Sequence, residues 1–406
     1  MDTAKIIADP AGGYMAVYHT LISNVFHVSL ATSSDLINWT FRRDLGSHAS
    51  QPYITALSNG GFVVAWEQDP NNHLAFKYYS SRTNLLNGTV ARSFDAPRLL
   101  SSCAEGTPNI YSVALNPDID HSTIDVGQHY FWNCDRDRQA RGRLTNFNSW
   151  TTSAQPNYDN AILYWKVGGN IGDRDALWFK GYQFGAIEGQ FTKGDFGTWR
   201  TFLYDYQTGN ADTTNIQTNG GSTAFANPSI TNLKAPNGSM AIVVTLFIPS
   251  EGAAAGESGE LIYYRTYTDL ALNKSATADS SCNANEAPAK AVNGSWTAGT
   301  SDKWCSLGSS KWLRVDLGSS QTITRFAIRH AGDGGENPAL NTRDFTIQVS
   351  NDGTTWTTVV TVSGNTANVT THAVTTSGRY VRLNVTTPTS NGDPAARIYE
   401  FEVYGN

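Results

Sequence analysis

Asp2, Glu105 and Asp159 are carboxylates that stand near the starts of recurring segments, and carboxylates gathered from separate segments could give and take protons around one bound molecule. His19 and Glu67 hold equivalent positions of the recurrence, with one or both facing the same space. Arg174, within Gly172-Asp173-Arg174-Asp175, could pair with a carboxylate on a ligand, or stand as a solvated loop charge. Gln51 and Trp66 belong to the clearest copy of the segment and join the candidates for ligand contact, although Trp66 also suits a packed core between segments. The plain alternative for the three carboxylates is that they only accept backbone hydrogen bonds at strand starts.

What must position these groups is a repeat. Residues 50–67 read as a strand, a turn at Gly60-Gly61 and a second strand. The same pattern fits residues 2–19, with its turn at Gly12-Gly13. Gly106-Thr107-Pro108-Asn109-Ile110-Tyr111 and Ala226-Asn227-Pro228-Ser229-Ile230 repeat the strand start, and Asp159-Asn160-Ala161-Ile162-Leu163-Tyr164 does so without the proline. A spacing of roughly 50 residues with short alternating strands predicts a β-propeller, one copy per blade. Five blades fill residues 1–270, with Trp39 packed between blades. After Asp269-Leu270 the pattern changes, and residues 271–406 read as a separate β-sandwich of jelly-roll type. The fold class is therefore all-β.

Composition narrows the function. The 406 residues carry a formal charge of −6 with few charged side chains and many Gly, Trp and Tyr, which suits an extracellular all-β protein. No basic patch recommends a nucleic acid, and no apolar run approaches a membrane span. Secretion is expected, with a leader removed ahead of Asp2. The cysteines fall as two local pairs, Cys103 with Cys134 and Cys282 with Cys305, which predicts one disulfide per domain.

The C-terminal residues resemble the discoidin or coagulation factor 5/8 type C family, which shares its fold with family 32 carbohydrate-binding modules. The resemblance is carried by Lys290-Ala291-Val292-Asn293-Gly294, Lys311-Trp312-Leu313-Arg314-Val315-Asp316-Leu317-Gly318, Ser350-Asn351-Asp352-Gly353, Arg379-Tyr380-Val381-Arg382-Leu383 and Glu400-Phe401-Glu402-Val403-Tyr404-Gly405. It implies a structural calcium near Asn293, Asp302 and Glu400 with the Lys290 carbonyl, as oxygen ligands suit a hard cation. It also implies sugar binding by an end loop, with His330, Glu336, Asn341 and Arg343 as candidates; these residues could equally brace the loop.

The N-terminal part resembles the five-bladed propeller glycosidases of the family 43 and 62 clan, through blade number, Ser33-Ser34-Asp35-Leu36-Ile37-Asn38-Trp39 and Glu105-Gly106-Thr107-Pro108-Asn109-Ile110-Tyr111. That likeness implies catalysis by three carboxylates facing the central channel, carried here onto Glu105, Asp159 and Asp2, with an inverting acid and base. The expected function is a secreted, monomeric glycoside hydrolase acting on a plant or microbial polysaccharide such as an arabinan, xylan or arabinogalactan. Calcium is its expected ion, with no organic cofactor. A polysaccharide lyase using His19 and Arg174, or a non-catalytic lectin, are the alternatives.

Overall fold

Glycine turns punctuate short runs of alternating apolar and polar residues along most of the chain, and such runs can bury one face only by pairing into sheets. The computed structural model describes residues 2–179, 182–266 and 268–405, and the side chains of all of these except Asp2 and Asp173. Residues 1–179 with 183–266 form one unit, and 180–182 with 267–406 a second. The division falls slightly ahead of the expected break after Leu270. Asp269 and Leu270 already belong to the second core: Asp269 Oδ1 accepts the Val403 N–H at 2.9 Å, and Leu270 packs against that core.

The first unit is a propeller of five antiparallel sheets, four of four strands and the last of three. Their innermost strands are Asp2–Ala8, Ala49–Ala56, Glu105–Leu115, Ile171–Phe179 and Ala226–Lys234. Trp39 packs against Leu233 and Val243 of blade five as well as Ile6 and Tyr14 of its own blade, as an inter-blade wedge should.

The fourth copy differs from the expected alignment. Residues 156–163 form a helix with Pro156 in its first turn, where a missing N–H costs nothing, and the true strand start comes later at Ile171. Asp159 and Tyr164 thus lie on and beside a helix, not on a blade's inner edge.

A kink recurs at the innermost strand starts. Thr3, Gln51, Thr107 and Asn227 have φ of 55°, 53°, 55° and 50°, and strand register slips around each. This left-handed conformation costs a non-glycine residue roughly 1–2 kcal/mol and frees N–H groups from the ladder. Acceptors from the preceding blade take several of them. The Gln51 N–H donates to His19 Nδ1 at 3.1 Å, and the Asn227 N–H donates to Glu188. Glu260 of blade five accepts from the Thr3 and Ala4 N–H groups at 3.0 Å each, so a carboxylate clasp ties the last blade to the first.

Two residues past the four kink positions stand Lys5, Tyr53, Asn109 and Ser229, and Asp175 lies on the innermost strand of blade four. Lys5, Tyr53 and Ser229 meet Asp175 on the axis: its carboxylate accepts from Lys5 Nζ at 2.5 Å, Tyr53 OH at 2.8 Å and Ser229 Oγ at 2.8 Å. Asp175 is fully buried there. The propeller axis is plugged by hydrogen-bonded polar groups.

The second unit is a seven-stranded antiparallel sheet. Its two long strands, Lys311–His330 and Val369–Thr387, lose register between Asp316 and Gln321. Both halves of each long strand then share one core: Leu313, Val315, Val381 and Leu383 pack with Ile323, Phe326, Phe401 and Val403. Both expected disulfides are formed, Cys103–Cys134 and Cys282–Cys305.

Candidate functional site

A cavity of about 440 Å³ opens at the starts of the propeller's innermost strands, with the polar plug further along the same strands. Its wall is built from one repeating position. His19, Glu67, His129 and Phe247 are the second-strand residues that pair with Asp2, Ser50, Gly106 and Ala226, and Glu188 supplies the corresponding group in blade four. Asp137 enters from the third strand of blade three and Arg174 from blade four. Three carboxylates from three blades, Glu67, Asp137 and Glu188, therefore share one space.

Close backbone approach makes this possible. A Cβ on Gly106 would lie 2.0 Å from Glu67 Oε2, and one on Gly172 would lie 2.2 Å from His129 Cε1. Glu67 accepts from Asn72 Nδ2, and from Thr107 Oγ1 at 3.2 Å. Arg174, nearly buried, donates through Nη2 to Gln51 Oε1 at 2.6 Å and holds Nη1 3.7 Å from Glu188 Oε1. Burial, followed by the charges of Glu67 and then Glu188, pushes the Asp137 carboxyl up to about 7, against the pull of Arg138 and Arg174. Phe26, Phe131, Phe196, Trp199 and Phe247 complete the lining, with Phe26 set 4.8 Å from the His19 ring.

Of the residues expected at this site from sequence, His19, Gln51 and Arg174 line the cavity. Glu105, Asp159 and Trp66 do not. The Glu105 carboxylate is buried and taken up by the Leu100 and Ser101 N–H groups and Gln128 Nε2, so it anchors the loop that carries Cys103. Asp159 accepts from the Gln139 N–H at 3.1 Å and braces its helix against blade three. Trp66 is fully buried in the core shared with Ile7, Met15 and Val17, and donates to Gln68 Oε1 at 2.8 Å. Asp2 opens the innermost strand of blade one opposite His19, and its side chain lies outside the described residues.

Asp137 and Glu188 also line the cavity, although nothing local in the sequence sets them apart. Residues 134–138 look like a salt-bridged surface turn, and Asp135 does pair there with Lys193. Asp137, two residues on, faces the cavity. Extending the equivalence of His19 and Glu67 to the remaining blades would have reached His129 and Glu188, had the fourth copy been aligned at residue 171.

In the second unit, the end loop and the region around Glu400 were expected to bind. Asn341 is buried, donating to Thr366 O at 3.1 Å and Asn368 Oδ1 at 2.8 Å while accepting the Gly332 N–H at 2.7 Å. His330 is fully buried, with Nε2 3.0 Å from Thr370 Oγ1. These two brace the loop rather than face solvent. Glu336 lies between Lys303 at 3.0 Å and Arg397 at 3.4 Å and accepts from Tyr399 OH, whereas Arg343 is exposed beside Asp344. Glu400 Oε1 accepts the Gly294 N–H at 2.8 Å, and its buried Oε2 has no hydrogen-bond partner among the described residues. Asp302 accepts from Asn293 Nδ2 at 3.1 Å and Ser295 Oγ at 2.5 Å, and Lys290 Nζ stands 3.6 Å from it. The orphaned carboxylate oxygen and the neighbouring oxygens fit a hard cation.

Residues 275–401 match the family model of the F5/8 type C domain. The C-terminal unit is an F5/8 type C domain. It is similar to a family 32 carbohydrate-binding module from Streptococcus pneumoniae EndoD, at 30% identity over 34% of this chain and 100% of that one, with a TM-score of 0.31. It is also similar to chitosan-binding module 1 of a chitosanase/glucanase from Paenibacillus sp. IK-5, at 36% identity over 34% of this chain and 100% of that one, TM-score 0.29. Module 2 of the same enzyme, described in complex with chitotriose, is 31% identical over 34% of this chain and 100% of its own, TM-score 0.29. No curated protein matches the chain.

Burial dominates electrostatics in the F5/8 type C domain. It pushes the Glu400 carboxyl well above the carboxylate range, and pushes Asp269 up to about 7 with help from Glu402. Burial, with His372 adding to it, pulls His330 down to about 3, so the imidazole is neutral at physiological pH. Among the described residues no helix is long and apolar enough to cross a membrane.

Proposed function

We propose that the protein is a secreted glycoside hydrolase whose propeller cleaves a polysaccharide and whose F5/8 type C domain holds the enzyme on that polymer. The observation that carries the reading is the convergence of Glu67, Asp137 and Glu188 from three blades on one cavity rimmed by aromatic side chains. Sugar rings stack on aromatic faces, and hydrolysis of an acetal needs one carboxyl that arrives protonated and one that arrives ionised.

Asp137 is the general acid, because its surroundings favour the protonated form near neutral pH. Glu67 acts on Asp137 more strongly than Glu188 does, which makes Glu67 the tuning carboxylate. Glu188, held beside Arg174, is the general base. Asp137 passes its proton to the glycosidic oxygen as the bond to the anomeric carbon breaks. Glu188 takes a proton from the attacking water, whose oxygen forms the new bond with inversion. The plugged axis makes the site a pocket closed at its floor, which suits the end of a chain. Asn293, Asp302 and Glu400, with the Lys290 carbonyl, would hold a calcium ion that stiffens the F5/8 type C domain and takes no part in the reaction.

Mass spectrometry with ultraviolet detection of products from arabinans, xylans, arabinogalactans and uronate-rich gums tests this. Released sugars heavier by one water support hydrolysis. Unsaturated, ultraviolet-absorbing ends would identify a lyase, and binding without release a lectin.

A further inference from the structure

Along Lys311–His330 and Val369–Thr387, Leu313, Val315, Val381 and Leu383 point into the core of the F5/8 type C domain. The alternate residues must point the other way. On that outward face Arg314 stands directly opposite Arg382, and Arg382 directly opposite Gln348. Like charges paired across strands repel, and among the described residues neither arginine forms a salt bridge, although Asp316 acts on Arg314 from beside it. Asp316 is engaged by Arg379 through two bonds of 2.9 and 2.8 Å. Asp352 is turned into its own loop, accepting the Thr354 and Thr355 N–H groups at 2.8 and 2.7 Å. Among the described residues the two arginines donate hydrogen bonds only through Nε, Arg314 toward Thr277 Oγ1 at 3.1 Å and Arg382 toward Gln348 Oε1 at 2.9 Å.

Aromatic rings flank these guanidinium groups. The Arg382 Cζ lies 4.1 Å from the Trp356 ring centre, and the Arg314 Cζ lies 6.0 Å from that of Trp312 and 5.8 Å from that of Tyr380. A groove of about 290 Å³ runs over Arg314 and Tyr380, with Asp316 and Asp352, each already engaged by Arg379 or by its own loop, on its wall. We propose that this sheet face, built on Arg314, Arg382, Trp312, Trp356 and Tyr380, is a binding site for a polysaccharide bearing carboxylate or sulfate groups. An anion between the two guanidinium forks would take up their unspent N–H donors and screen their repulsion, while the rings would receive the sugar faces. Partial burial and the neighbouring Arg314 pull the Arg382 guanidinium below its ordinary value, in keeping with a charge that lacks its counterion. The site shares no residue with the end loop or with the cavity lined by Glu67 and Asp137, and it stands whether or not the propeller is a hydrolase.

Affinity electrophoresis of the full chain through gels containing polygalacturonate, dextran sulfate or neutral arabinan tests the proposal. Retardation by polygalacturonate alone assigns the carboxylate, by dextran sulfate alone the sulfate, and by both a shared anion site. In each case the double substitution Arg314→Gln with Arg382→Gln should weaken retardation by about tenfold or more. Its melting temperature should not fall, because a repulsive pair is removed. Arg382→Lys, which keeps the charge and loses the planar fork, should fall between the two. No retardation by either acidic polymer, or equal retardation of wild type and double variant, would overturn the proposal.

Discussion

Lys5 and Asp175 meet on the propeller axis, Nζ to Oδ2 at 2.5 Å, although 170 residues separate them in the chain. Both are almost wholly removed from solvent, and burial pulls the lysine below its ordinary value while Asp175 pulls it back. The pair costs desolvation and is offset by the further bonds from Tyr53, Ser229 and the Ile230 N–H. Lys5→Met should therefore destabilise the propeller by about 3–5 kcal/mol, because it leaves a buried carboxylate without its cation. Denaturant titration checks this. A loss below 1 kcal/mol would mean that the plug is not held by this charge pair.

Asp269 gives a pH signature. Its folded value of about 7 stands above the 3.8 of an unperturbed aspartate, so the folded domain holds the proton more tightly than the unfolded chain. The sign follows: stability is undiminished below the unfolded value and is lost as pH rises from near 4 through 7. Asp269→Asn removes this loss while its amide oxygen can still accept the Val403 N–H. Relative to wild type, the variant should gain stability steadily between pH 5 and 8 in urea midpoints. A difference that stays flat over that range would contradict the burial argument. His330 acts in the opposite direction, its stability contribution falling as pH drops from 6.5 toward 3, and is common to both proteins.

Calcium should act through Glu400. With its second oxygen buried and unpartnered, the site favours a proton or a cation there. Added calcium should raise the melting temperature of the F5/8 type C transition, chelation should reverse it, and Glu400→Gln should be insensitive to both. Identical melting of wild type with and without the ion would remove calcium from the account.

The architecture was legible because its devices are local. Gly12-Gly13 and Gly60-Gly61 mark the first turns of two blades, and Thr107-Pro108 and Asn227-Pro228 mark two strand starts. The cysteine pairs and the C-terminal motifs were also read directly. The site was less legible. The repeat points His19 and Gln51 toward the cavity and the charge of residues 172–175 points to Arg174, yet Glu105 and Asp159 share the residue types of the cavity carboxylates and an expected strand-start setting without reaching it. A strand-start carboxylate is equally suited to capping a loop, and whether Glu105 faces Ser101 or a ligand depends on a kink at Thr107 and on where the loop of residues 100–104 returns. Asp137 was hidden by its charged neighbours, since the direction of a side chain in a hairpin is fixed by register, and the pairing of Asp137 with Phe131 follows from where the turn falls, which the run of charges does not mark. The missed alignment of blade four had a physical cause too: Pro156 and the apolar Tyr158, Ala161 and Ile162 make a helix that packs under that blade, in a segment whose composition also suits a strand.

The central claim is that Asp137 delivers the proton to the leaving sugar, and the most direct measurement is kcat/KM against pH for wild type and Asp137→Asn on whichever polysaccharide is cleaved. The wild type should show a basic limb near pH 7, where Asp137 loses its proton. The variant should show a loss of about 10²- to 10⁴-fold with an unchanged melting temperature. Turnover by Asp137→Asn within a few-fold of wild type, with the basic limb still in place, would contradict that claim.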